Sequence, residues 1–166
     1  MREFKKFFHL ALHVTDLDKS IDFYKKLGCE YMFTLELDDG RPWLAYVRLN
    51  KDQYLELFQV YEDHPMTPRE KKITQDSDDY FGHLSFLVPD IYKAAKDWAA
   101  AGCPLVYAPF RPEPVPLDDI SGVHWAEGAA DKNWICWIQD PDGNWIEVME
   151  EREDSYQKIF EETHPW

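Results

Sequence analysis

The chain has 166 residues, 45% of them apolar and 16% aromatic, with 18 basic against 32 acidic side chains and a formal charge of −14. That length and apolar share suit one domain with a substantial core, or two small fused modules, and argue against intrinsic disorder. The acidic balance argues against nucleic acid and anionic membranes as partners, since both demand basic patches, and no run approaches the roughly 20 apolar residues of a membrane span.

A strand is expected at 8–14, where Leu10, Leu12 and Val14 alternate with His9, Ala11 and His13. Asp16 can then cap a helix whose apolar face carries Leu17, Ile21, Tyr24 and Leu27, and Gly28 suits its left-handed stop. Strands follow at 30–37, 42–49 and 54–60, broken at Asp38-Asp39-Gly40 and Asn50-Lys51-Asp52. The polar stretch 62–80 serves as a linker. A strand at 84–88 runs into Asp90 and a helix bearing Ile91, Ala94, Ala95 and Trp98, which Gly102 ends. Strands at 105–108, 133–139 and 144–150 complete the second half, the last two joined by the turn Asp140-Pro141-Asp142-Gly143. The proline-bearing stretch 111–131, with His124 and Trp125, reads as an insertion loop of the kind that forms lids. The tail 154–162 predicts a short amphipathic helix with Tyr156, Ile159 and Phe160 inward.

The two halves are copies. His9 to Cys29 aligns with His83 to Cys103 without a gap, and seven of 21 positions are identical (His, Leu, Val, Asp, Lys, Gly, Cys). Chance would give about one or two. The expected fold is therefore α+β, a βαβββ unit present twice: 7–62, a linker at 63–80, a second unit at 81–150 and a tail at 151–166, all within one domain. Three cysteines (Cys29, Cys103 and Cys136) without CxxC spacing fit a reducing cytoplasm better than a disulfide framework, and Met1 to Phe8 lacks the features of a signal peptide.

Strand alternation decides which side chains share a face. His9, Ala11 and His13 lie opposite the helix-facing leucines; His83, Ser85 and Leu87 repeat that face; Tyr54, Glu56 and Phe58, and Trp145, Glu147 and Met149, form the matching face of each last strand. Singly, a strand His is more often structural, and a strand Glu more often solvated. Both pairs, however, occupy the first and last strands of a duplicated unit. His9 to Glu56 spans 47 residues and His83 to Glu147 spans 64, and the loop at 111–131 absorbs the difference. Two imidazoles and two carboxylates make a formally neutral donor set for a divalent ion, with positions left for substrate oxygens.

The motifs His9-Leu-Ala-Leu-His-Val-Thr-Asp-Leu-Asp-Lys-Ser-Ile-Asp-Phe-Tyr24, Tyr54-Leu-Glu-Leu-Phe58, Gly82-His-Leu-Ser-Phe-Leu-Val88 and Asp140-Pro-Asp-Gly-Asn-Trp-Ile-Glu147 resemble the vicinal oxygen chelate superfamily. That superfamily includes glyoxalase I, methylmalonyl-CoA epimerase, extradiol dioxygenases and the bleomycin and fosfomycin resistance proteins. The resemblance implies that the paired modules curl their mixed sheets into a cup around one divalent metal ion (Ni, Co, Zn or Mn). His9, Glu56, His83 and Glu147 would be its ligands, as in glyoxalase I. It further implies a lyase or isomerase of the lactoylglutathione lyase type, moving a proton beside a carbonyl of a small-molecule substrate, with Glu56 and Glu147 as proton carriers. His13, Tyr54, Phe58, Ser85 and Trp145 would contact that substrate, with Trp134 and Trp137 nearby, and pairing into a homodimer is compatible with the family. Small-molecule sequestration and ring cleavage by a dioxygenase are the alternatives. One departure stands out: glyoxalase I has an Arg four residues after its first ligand, where this chain has His13. An imidazole is a weaker, pH-dependent partner for a glutathione carboxylate.

Overall fold

The computed structural model describes residues 8–51, 53–64, 83–108, 111–115 and 133–164. The chain divides into two compact units, Met1–Phe81 and Gly82–Trp166. The first contains strand β1 (His9–Val14), helix α1 (Leu17–Lys26) and strands β2 (Glu30–Glu36), β3 (Pro42–Asn50) and β4 (Gln53–Gln59). Its sheet has the order β1-β4-β3-β2, with β1 parallel to β4 and the other neighbours antiparallel.

The helix forms where the sequence places its signals. The Asp16 carboxylate accepts from Lys19 N–H, while Lys25 and Lys26 complement the dipole of the last turn. Gly28 follows at φ 97°, the left-handed conformation that spares a side-chain clash. Leu17, Phe23 and Tyr24 of α1 are buried, as are Leu12, Val14, Ala45, Val47, Leu55 and Leu57 of the sheet. That apolar layer is what holds the unit together, and it leaves the opposite face of β1, β3 and β4 to other work.

The second unit repeats the plan with β5 (Leu84–Leu87), α2 (Ile91–Ala100), β6 (Val106–Ala108), β7 (Arg111–Pro114), β8 (Trp134–Gln139), β9 (Trp145–Glu150) and α3 (Tyr156–Thr163). Its sheet runs β5-β9-β8-β6-β7, the first unit's order with one strand added at the edge. The copying extends to individual pairs. Leu10↔Leu55, Ala11↔Glu56, Leu12↔Leu57 and His13↔Phe58 become Leu84↔Ile146, Ser85↔Glu147, Phe86↔Val148 and Leu87↔Met149. The expected α+β architecture with paired βαβββ modules is thus the observed one.

Two details depart from the sequence reading. Residues 111–114, expected within a loop, form β7 and pair with β6, because an extended chain beside an open sheet edge satisfies both backbones. The remainder of that stretch, 116–131, including His124 and Trp125, lies outside the described residues, as do 65–80 of the linker. Helix α3 exists, but Tyr156, Ile159 and Phe160 point outward at 58%, 46% and 60% exposure. Its hold on the unit is polar: Ser155 caps it, Asn133 Nδ2 donates to Gln157 Oε1 at 3.1 Å, and Lys158 meets Glu151 at 3.8 Å. Among the described residues no helix is long and apolar enough to cross a membrane.

Candidate functional site

The face of each sheet turned away from its helix carries the candidate ligands. In the first unit His9 opens β1, and Glu56 sits mid-β4 opposite Ala11. Their side chains converge, with His9 Nε2 3.6 Å from Glu56 Oε2. In the second unit His83 precedes β5, Glu147 lies opposite Ser85, and His83 Nε2 is again 3.6 Å from Glu147 Oε2.

That spacing has chemical content. It is too long for an N–H···O hydrogen bond. Two ligands each about 2.1 Å from a tetrahedral zinc-like ion would stand about 3.4 Å apart. The imidazole side chains are 40% and 41% exposed, whereas the carboxylates are 10% and 15% exposed. Each pair therefore sets a half-exposed imidazole beside a largely buried carboxylate side chain. Within either unit the set stops at two: among the described residues no group of three or more His, Cys, Asp or Glu is gathered as ligands.

The candidate substrate-contacting residues fall on these same faces. His13 is registered with Phe58, their rings 5.8 Å apart, and Trp43 packs edge-on to Phe58 at 5.6 Å. Tyr54 stands opposite His9 and meets Phe8 at 5.1 Å. In the second unit Trp145 and Trp137 meet at 6.4 Å, and Trp137 packs edge-on to His83 at 4.9 Å. Trp134, by contrast, belongs to the helix side: it meets Tyr92 of α2 at 5.7 Å and lies under the Arg152 guanidinium. Alternation explains this, because Trp134 and Trp137 differ by an odd number of positions.

One partner escaped the sequence reading. Tyr46 of β3 is registered with Glu56, and its hydroxyl donates to Glu56 Oε1. That hydrogen bond, then burial and the carboxylate's charge, raises the Tyr46 phenol above its ordinary range. The signal was present in the alternation of β3, which places Tyr46 between Leu44 and Arg48 on the Glu56 face, but only the register names its partner.

Arg41 and Arg48, cations of the first unit, are both paired with carboxylates. Arg41 makes a two-pronged bond to Asp63 at 3.0 Å and another to Asp39 at 2.8 Å, and Arg48 pairs with Glu30. Cys29 is pushed up to about 11 by burial, and Cys136 is raised by burial and by the charge of Glu147, so neither is a poised thiolate.

A family model described as the Glyoxalase/Bleomycin resistance protein/Dioxygenase superfamily matches residues 6–148. A lactoylglutathione lyase of Pseudomonas aeruginosa is 27% identical over 163 residues, covering 87% of this chain and 81% of its own. Among solved structures, SMU.1112c superposes with a TM-score of 0.61 at 25% identity, over 89% of this chain and 100% of that one. TnmS3, an antibiotic binding protein from Streptomyces sp. CB03234, superposes with a TM-score of 0.56 at 17% identity, over 92% and 100%. At that identity the last likeness concerns the fold alone.

Proposed function

The chain belongs to the Glyoxalase/Bleomycin resistance protein/Dioxygenase superfamily, and on that footing we propose that it is a metal-dependent lyase or isomerase of the lactoylglutathione lyase kind. His9, Glu56, His83 and Glu147 would hold one divalent cation, for which two imidazoles and two carboxylates are a suitable neutral set. When bound, the ion would act as a Lewis acid toward adjacent substrate oxygens and acidify the C–H beside a carbonyl. The chain's own part in the reaction is proton transfer. A carboxylate, Glu56 or Glu147, takes the proton from the α-carbon and returns it to the neighbouring carbon. His13, Tyr54 and Phe58 from one unit, and Ser85 and Trp145 from the other, would line the substrate, the aromatic rings giving apolar contact and the polar groups orienting it.

The observation carrying this reading is the repetition of one His–Glu pair, at the same Nε2–Oε2 separation of 3.6 Å, in both copies of the unit. The test is elemental analysis of the purified protein alongside a hemithioacetal isomerisation assay, before and after chelation. Bound metal, activity lost on chelation and activity regained with Ni, Co, Zn or Mn support the proposal. Full turnover by the metal-free protein, or by His83→Ala, overturns it.

A second reading, sequestration of a small molecule, draws on the rings beside the first pair, where Trp43, Phe58 and His13 adjoin. Equilibrium dialysis with candidate ligands after chelation separates the two, because only a sequestering protein retains its ligand without metal.

A further inference from the structure

The two His–Glu pairs are supported differently, and the difference is written in one strand position. The Glu56 side chain is only 10% exposed, so solvent does little to orient its carboxylate. Its Oε1 accepts the Tyr46 hydroxyl, while its Oε2 is the atom facing His9. One oxygen is thus committed to a protein donor, and the other is left free for a cation. Tyr46 is itself held: it is registered with Phe33 on β2, and the two rings lie 4.9 Å apart at 31°. In the second unit the matching position is Trp137, registered with Glu147 just as Tyr46 is with Glu56. Trp137 has no hydroxyl to offer that carboxylate, and its ring braces the imidazole of His83 at 81° instead.

We propose that Tyr46 is a positioning residue for Glu56, its hydroxyl fixing the carboxylate so that Oε2 is presented to a divalent cation beside His9. The inference rests on the metal reading above. Groups that hydrogen-bond a ligating carboxylate act by holding it in the binding rotamer, and their loss typically weakens metal affinity by about 10–100-fold. The hydroxyl of Tyr46 is placed for that task, and the tilted contact with the Phe33 ring helps to hold it there.

Tyr46→Phe keeps the ring and removes only the hydroxyl. Metal affinity, by competition with a chromophoric chelator, should fall by about 10–100-fold, and the visible bands of the cobalt-loaded protein should shift. In a Glu56→Ala background the same substitution should leave the residual affinity unchanged, since the hydroxyl acts only through that carboxylate. Should Tyr46→Phe lose its fold by circular dichroism, Tyr46→Trp, which copies the second unit's arrangement, carries the same expectation. Wild-type affinity with unshifted cobalt bands overturns the inference, as does an equal loss in both backgrounds. A wild-type protein that takes up no metal overturns the functional proposal itself, an outcome distinct from wild-type protein that binds metal and a Tyr46 variant that binds it equally well.

Discussion

In the first unit, β2 runs from Glu30 to Glu36 as the sheet's edge and leaves Tyr31, Met32, Phe33 and Leu35 exposed; in the second, β6 is Val106–Ala108 and carries β7 on its outer side. The inner strands tell the opposite story. Leu44↔Phe58 through Arg48↔Tyr54 maps pair for pair onto Ile135↔Met149 through Gln139↔Trp145. Even a contact between strand and helix is kept: Leu17 N–H donates to Gln59 Oε1 at 2.8 Å, and Ile91 N–H to Glu150 Oε2 at 2.7 Å, at matching positions. Divergence has collected at the edges and in the partners of the candidate ligands, while the register of the inner strands has stayed constant. A buried register cannot slip without turning every core side chain outward, whereas an edge can be extended freely.

The comparison can be broken hardest at the ligands. If the two pairs serve one cation, His9→Ala and His83→Ala should each lower isomerase activity by about a thousandfold or more, the Lewis acid being worth several kcal/mol. Steady-state assays and metal content on the same samples check this; full activity in either variant would overturn the shared-cation proposal, and a large loss in one with a small loss in the other would make the units functionally unequal.

Next come the cores. Leu55→Ala and Ile146→Ala remove registered counterparts that are both fully buried, and each should cost about 2–5 kcal/mol in denaturant unfolding. Separate transitions in the two variants would mean that each unit unfolds by itself. The helix caps are smaller tests: Asp16→Ala and Asp90→Ala each delete a side-chain acceptor for an N–H of the first turn, and each should cost about 1 kcal/mol. Unequal losses would locate the difference in Gln59 and Glu150, since the latter adds a charge at its helix N-terminus.

The smallest effect is expected at a feature of the first unit alone. The Arg41 guanidinium lies 4.5 Å over the Tyr61 ring and bonds both Asp39 and Asp63. Asp39 is held below its ordinary range by the Arg41 backbone N–H first and the guanidinium next, and Asp63 mainly by the Arg41 side chain. A lowered carboxylate contributes stability that is present above its unfolded pKa and lost as pH falls through the folded one. Arg41→Ala should therefore lower the melting temperature slightly at neutral pH. The gap should close on acidification through the carboxylate range and shrink in high salt. A gap unchanged by either would assign the loss to packing on Tyr61.

Much of this molecule is legible in its residues taken in order. Helix starts at Asp16 and Asp90, stops at Gly28 and Gly102, and the sorting of His9 and Glu56 away from Leu12 and Leu57 all follow from local rules, because caps and strand alternation act over a few positions. The duplication added what no single residue carries, namely that His83 and Glu147 stand where His9 and Glu56 stand. Tertiary structure alone decided that Tyr46 reaches Glu56 while Trp137 braces His83, that residues 111–114 join a sheet and that α3 turns its rings outward. Each of these depends on which distant segment lies alongside. Strand pairing sets that through register and edge availability, neither of which a local pattern records.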